Sequence, residues 1–236
     1  IEMPVGEVMP HLDREQYESQ RRDLEQMEIS CLAFNIFVPG SFSIIDSYMN
    51  GNKAVLEYCK VAIKRIADLE GKIIVFGSGK ARMVPDVMDF DKATDILIEF
   101  VRDCADFAMP YGITIAVEHL NKDESNILTS VKETGEFVKT VNRENVKILY
   151  DTYHMSIEDE DIANVAAVID DVVHVHVSDK EGRTYPHKDL KLYNELNALL
   201  KEAEYKGAIS VECRVDDLKR ETKLAMETIK RTFNFI

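Results

Sequence analysis

The stretch Ile148-Leu149-Tyr150-Asp151-Thr152-Tyr153-His154-Met155 decides how this chain is read. An apolar run ends abruptly in an aspartate, and a histidine follows three residues later. A buried strand has this form when it leaves a core and presents polar groups at its end. Three other strand-like runs carry the same signature: 113–117 ends in Glu118, 172–177 carries His176, and 209–213 carries Glu212.

Working outward, strand-like and helix-like segments alternate along the whole chain. Strands are expected at 1–4, 29–37, 72–76, 113–117, 146–150, 172–177 and 209–213. Helices are expected at 12–27, 54–69, from a cap at Asp91 through Cys104, and at 130–141, 159–169, 190–204 and 218–233. The stripe Val55, Tyr58, Cys59, Ala62, Ile63, Ile66 and Leu69 has helical spacing, with Gly71 expected at its C′ position. Gly207 is expected to close 190–204, and Asn142 to end 130–141. The acidic run Glu158-Asp159-Glu160-Asp161 reads as a helix N-terminus favoured by the macrodipole. Each strand-helix unit takes roughly 25 to 40 residues, as βαβ units do.

The expected fold is therefore α/β, a (β/α)8 TIM barrel forming one domain over 1–236. A closed barrel needs eight strands and this reading finds seven. Because residue 1 falls inside a strand-like segment, a first β/α unit is expected to be missing from this chain. A doubly wound open sheet is the competing architecture, but it binds through a Gly-rich first turn. Here polar residues end many strands. Gly77-Ser78-Gly79-Lys80 is neither a phosphate-binding loop, since Ala81 follows the lysine, nor a dinucleotide fingerprint, since Arg82 takes the third glycine position. It reads as a tight βα turn.

The totals narrow the function. Across 236 residues, 29 basic side chains face 43 acidic ones, a net charge of −14. Such a surface repels phosphate backbones and anionic membranes. No apolar run reaches the length of a membrane span. Cys31, Cys59, Cys104 and Cys213 form no paired motif and sit in apolar contexts, so buried free thiols and a reduced, cytoplasmic setting are expected.

Strand residues alternate between lumen and helices. Glu118 shares its face with Ala116 and Thr114, Glu212 with Ser210 and Ala208, and His176 with His174. His174 reads as structural. Glu118, Asp151, His176 and Glu212 thus end four consecutive strands at one mouth. Buried carboxylates are costly unless paired, and a divalent cation pairs them best. Three carboxylates with one imidazole suit Mn²⁺ or Mg²⁺, with Co²⁺ or Zn²⁺ as further options.

These residues resemble a known family. Glu118-His119-Leu120-Asn121-Lys122-Asp123-Glu124-Ser125-Asn126 resembles the E-x-x-N-R-x-E-x-N segment of sugar and sugar-phosphate isomerases and epimerases with a xylose-isomerase-like barrel. Asp151-Thr152-Tyr153-His154-Met155 is similar to their D-T-[FY]-H-M segment. His174-Val175-His176 with Arg183 and Pro186 is similar to their H-x-H…R…P segment, and Val211-Glu212-Cys213 to their closing glutamate strand. Ketose 3-epimerases and hydroxypyruvate isomerase-type proteins share these motifs. The resemblance implies metal ligands Glu118, Asp151, His176 and Glu212, with Glu118 and Glu212 also the acid/base pair. It implies that His154, Glu124 and Arg183 contact substrate oxygens. Lys122 departs from the usual arginine, the step from His176 to Arg183 is one residue longer than in the 3-epimerases, and His187 stands where glycine often follows the proline.

The expected function is a metal-dependent epimerase or isomerase of a sugar or sugar phosphate, moving a proton between two glutamates through a cis-enediolate. A metal-dependent, inosose-type sugar dehydratase is the close alternative. An endonuclease IV-like enzyme would need more histidines at strand ends than the six here allow. A non-catalytic sugar-binding barrel would not need both glutamates. Related enzymes assemble as homodimers or homotetramers, so either state is expected here.

Overall fold

The computed structural model describes residues 1–8, 11–26 and 30–233. Among these residues seven strands form one sheet: β1 Glu2–Pro4, β2 Ala33–Asn35, β3 Ile73–Phe76, β4 Thr114–Glu118, β5 Val146–Asp151, β6 Val172–Val177 and β7 Ala208–Val211. Every neighbouring pair is parallel and the order follows the chain, β1 to β7. This is a TIM barrel of seven strands, nearly closed. Expected Met27 at the end of the first helix and Ile29 at the start of the second strand lie outside the described residues.

Among the described residues, ten α-helices lie between and after the strands: α1 Arg14–Gln26, α2 Ile44–Met49, α3 Ala54–Asp68, α4 Gly79–Arg82, α5 Phe90–Ala108, α6 Val131–Val141, α7 Thr152–Ile157, α8 Ala163–Ala166, α9 Leu190–Glu202 and α10 Leu218–Thr232. Their apolar stripes pack on the outer strand face, where Ile74, Phe76, Ile115, Val117, Ile148, Tyr150, Val175 and Val177 are buried. The alternate residues form a smaller inner cluster of Ala33, Ile73, Val75, Ala116 and Leu149. This small apolar cluster lies beneath the polar strand ends, with Glu2 and His174 at the same level, opposite Ala33 and Leu149.

Several local expectations are corrected. Asp89, not Asp91, caps α5, its side chain accepting from the Lys92 amide at 3.1 Å. The left-handed residue after α3 is Glu70 (φ 60°), not Gly71. Gly71 is needed for space, because a Cβ there would meet Ile66 at 2.5 Å and Phe34 at 2.7 Å. After α9 the left-handed residue is Glu204 (φ 51°), not Gly207. The helix expected at 159–169 is replaced by α7 and the short α8. Asp151 starts α7 immediately after β5, and the acidic run follows α7, its Asp161 accepting the amide of Ala163, the first residue of α8, at 2.8 Å. Glu160 of that run accepts the Val131 amide at 3.2 Å and so serves the N-terminus of α6. Of the four thiols, Cys213 is only half-buried.

β1 and β7 lie at the two ends of the sheet order and are not paired with each other. A cavity of about 330 Å³ opens along this seam, lined by Ile1, Glu2, Ile209, Val211, Leu218 and Met226 among others. No helix among the described residues is long and apolar enough to cross a membrane.

One fully buried cation ties the C-terminal strand ends together. Arg82 donates to the carbonyls of Phe76 (3.2 Å), Glu118 (2.9 Å) and Leu128 (3.2 Å), and to Ser125 Oγ (3.4 Å). Burial pulls its guanidinium down to about 10, against the charges of Glu118 and Glu133, so it stays charged at neutral pH. Arg82→Met keeps the bulk and strands three carbonyls. It should lower the free energy of unfolding by roughly 3 kcal/mol or more, and a urea midpoint equal to wild type would show that the tie is dispensable.

Candidate metal and substrate site

Glu118 ends β4, Asp151 ends β5, His176 is the penultimate residue of β6, and Glu212 follows β7 by one residue. In the β5–β6 register Asp151 lies opposite His176. One ligand atom from each of these four residues lies within 4.8 Å of every other. His176 Nδ1 is 3.4 Å from Glu118 Oε1, 3.4 Å from Glu212 Oε2 and 3.8 Å from Asp151 Oδ2. Glu118, Asp151 and His176 are buried, and Glu212 is partly exposed.

Three of these atoms, Glu118 Oε1, Asp151 Oδ2 and His176 Nδ1, are buried without a hydrogen-bond partner. Buried polar atoms are rarely left so. That the orphaned atoms converge, and come from oxygen donors with one imidazole, fits a divalent cation. Asp151 shows how the sequence achieves this. Its Oδ1 caps α7, accepting the Tyr153 amide at 2.6 Å and the His154 amide at 3.4 Å, which leaves Oδ2 for the site. Gly77 provides for Glu118: a Cβ at residue 77 would lie 2.1 Å from Glu118 Oε2.

Charge within the cluster is unevenly held. Burial and the neighbouring Glu212 charge push Glu118 up. Burial also penalises Asp151 and Glu212, but His176 and other cationic partners outweigh it and hold both below the ordinary range. Burial opposes the His176 charge, yet Glu2 and Glu212 lift the imidazole well above its usual value.

The expected substrate contacts surround this cluster. His154 is buried, and its Nδ1 accepts the Asn121 amide at 3.1 Å. The ring proton is thereby assigned to Nε2, which lies 3.7 Å from Asp151 Oδ2 and has no hydrogen-bond partner. Arg183 stacks on Tyr153 at 4.5 Å, hydrogen-bonds Glu212, and lies 3.7 Å from Asp151 and 3.4 Å from Glu124. Burial opposes its charge, but those carboxylates hold it above its ordinary value. It adopts φ 49° directly after Gly182 at φ 76°, which accommodates the longer step from His176. Glu124 accepts from Asn121 Nδ2 at 3.3 Å. Lys122 points away and pairs with Glu158 at the surface. His187 lies 2.9 Å from the buried Asp179. Ser78, left-handed at φ 45°, gives its Oγ to the Val38 amide.

Sequence reading missed three residues at the mouth. Asn35 of β2 donates to Glu212 Oε1 at 3.3 Å. Asn121 holds both His154 and Glu124. Glu2 of β1 contacts both His174 and His176. A charged residue inside a strand-like run was the available signal for Glu2. His119, next to Glu118, is stacked on Tyr150 and pushed by burial down to about 4, so it is neutral at pH 7.

Comparison with known proteins agrees with this architecture. The family model described as "Xylose isomerase-like TIM barrel" matches residues 1–232. A D-psicose 3-epimerase of Agrobacterium fabrum is 33% identical over 125 residues, covering 52% of this chain and 43% of that protein. An inosose isomerase of Halalkalibacterium halodurans is 25% identical over 177 residues, covering 66% and 62%. The chain thus aligns with about half the length of the curated relatives it matches. A crystal structure of D-psicose 3-epimerase in the presence of D-fructose superposes with a TM-score of 0.84 at 20% identity, covering 99% of this chain and 88% of that one. The chain belongs to the xylose isomerase-like TIM barrel family.

Proposed function

We propose that this protein is a divalent-metal-dependent epimerase or isomerase acting on a small sugar or sugar phosphate. The observation that carries the reading is the convergence of Glu118, Asp151, His176 and Glu212, three of them contributing buried atoms without a hydrogen-bond partner. These four residues would hold the ion, Mn²⁺ by the hardness of the donor set. When bound, the ion supplies a Lewis acid for the carbonyl and neighbouring hydroxyl oxygens of the sugar.

The chain's own residues supply the rest. One of Glu118 and Glu212 removes the proton from the carbon beside the carbonyl, and the other returns a proton to the opposite face, inverting that centre. Return of the proton to the adjacent carbon gives an aldose–ketose exchange from the same residues. His154 offers its Nε2–H to a substrate oxygen, since its Nδ1 is occupied by Asn121. Arg183 and Glu124 bind further hydroxyls, with the Tyr153 ring holding the guanidinium flat. The named relatives, a ketose 3-epimerase and an inosose isomerase, support proton transfer next to a carbonyl as the reaction class.

A metal-supplemented panel of ketoses, ketose phosphates and cyclic polyol ketones in D₂O tests the reading. At least one substrate should take up deuterium at carbon, and Glu118→Gln and Glu212→Gln should each abolish that uptake. Retained exchange in both variants would sink the acid/base assignment, and release of water would move the reaction to a dehydratase. For the ion, chelation followed by Mn²⁺ at about 100 times its Kd should raise the melting temperature by roughly 5–10 °C; an unchanged melting curve and activity would count against it. Gly77→Ala, which crowds Glu118, should weaken Mn²⁺ binding about tenfold or more by calorimetry.

A further inference from the structure

Glu2 is a further carboxylate beside His176 and stands outside the four-residue set. It comes from β1, which contributes none of those four, and its side chain is 9% exposed. The β1–β2 register sets its depth, with Glu2 opposite Ala33 and the Leu32 amide donating to the Ile1 carbonyl at 2.9 Å. Its carboxylate meets His174 Nε2 at 2.8 Å and His176 Nε2 at 2.9 and 3.0 Å. His174 Nε2 is also 3.1 Å from Ser210 Oγ, and the two imidazoles stand edge to face with centroids 5.2 Å apart.

A ring nitrogen within hydrogen-bond distance of an ionised carboxylate donates to it; Nε2 lies 2.9 and 3.0 Å from the Glu2 oxygens, whereas Nδ1 stays 3.4 Å or more from its three carboxylates. His176 is therefore protonated at Nε2, whatever happens at its other nitrogen. That other nitrogen, Nδ1, is the one directed at Glu118, Asp151 and Glu212. A cation can take a lone pair from Nδ1 only if the remaining proton stays on Nε2. A carboxylate on the far side of a ligating imidazole also fixes the ring plane and strengthens the donor nitrogen.

We propose that Glu2 is a positioning residue: braced by His174, it fixes the ring of His176 with its proton on Nε2, so that Nδ1 faces the three carboxylates as a ligand. This rests on the reading of Glu118, Asp151, His176 and Glu212 as a cation site. It also gives His174 a specific task, since His174 occupies one oxygen of Glu2 and keeps the carboxylate from turning away.

The test is Mn²⁺ binding to wild-type protein, Glu2→Gln and Asp151→Asn by calorimetry, with the melting temperature of each metal-free protein as a check on folding. Wild type should bind one ion, Asp151→Asn should lose it, and folded Glu2→Gln should bind about 10- to 100-fold more weakly. Binding of Glu2→Gln within twofold of wild type, with Asp151→Asn deficient, overturns the role of Glu2 alone. No Mn²⁺ uptake by wild type overturns the four-residue reading itself. Two ions in wild type, one of them lost in both Glu2→Gln and His174→Gln, makes Glu2, His174 and His176 a second cation site and overturns the positioning role. A measurement on wild type needs no variant: with Zn²⁺ bound, ¹⁵N shifts of labelled histidine should show His176 protonated at Nε2 and coordinated through Nδ1. The opposite assignment overturns the proposal even if Glu2→Gln fails to fold.

Discussion

Negative charge concentrated around one imidazole constrains everything else at this barrel mouth. Glu2, Glu118, Asp151 and Glu212 all direct oxygens toward His176, from both sides of its ring. Removing such charges from water costs several kcal/mol each unless they are compensated. The fold meets that cost piecemeal. Asp151 spends one oxygen on a helix start, Arg183 covers Glu212 and Asp151 from the solvent side, and Glu2 is shared between two histidines. What remains uncompensated is a compact set of atoms facing a single point.

The scaffold keeps those atoms from collapsing onto other partners. Arg82 binds the backbone beneath Glu118 and leaves its carboxylate alone. Gly77 keeps open the space into which that carboxylate projects. Asn121 takes the inner nitrogen of His154, so that its outer nitrogen is presented to the mouth. Arg82 and Asn121 could each satisfy a site atom and instead hold the residue that carries it. This preorganisation is what a transition state stabilised by fixed charges requires.

The strand order and the four strand-end residues were legible in the sequence, because buried parallel strands leave apolar runs whose polar exceptions stand out. Helix caps and boundaries were less so. Asp151 looked like a strand terminus and is also a helix cap, which moved the next helix forward and displaced the one expected at 159–169. Glu70 and Glu204 take left-handed backbone where glycine was expected, since the neighbouring glycines are needed for space. Arg82 stood out in the sequence only as the residue that breaks a dinucleotide fingerprint, because its partners, three carbonyls from distant segments, exist only after folding. Glu2 lies in a strand of three residues, too short for alternation to show. His154, Glu124 and Arg183 were placed by resemblance; the geometry adds that they are linked to the four-residue cluster through Asn121 and ion pairs.

The seam between β1 and β7 divides the mouth by mechanical security. Glu118, Asp151 and His176 stand on β4, β5 and β6, each laddered on both sides. Glu212 lies just past β7, whose outer edge carries amides and carbonyls without a ladder partner. Backbone on such an edge opens at lower free energy than backbone in the middle of a sheet. Three members of the candidate cluster therefore stand on strands paired on both sides, and the fourth follows a strand paired on one side only. Arg183 and Asn35, which reach Glu212 from the β6–α9 loop and from β2, span that weak side.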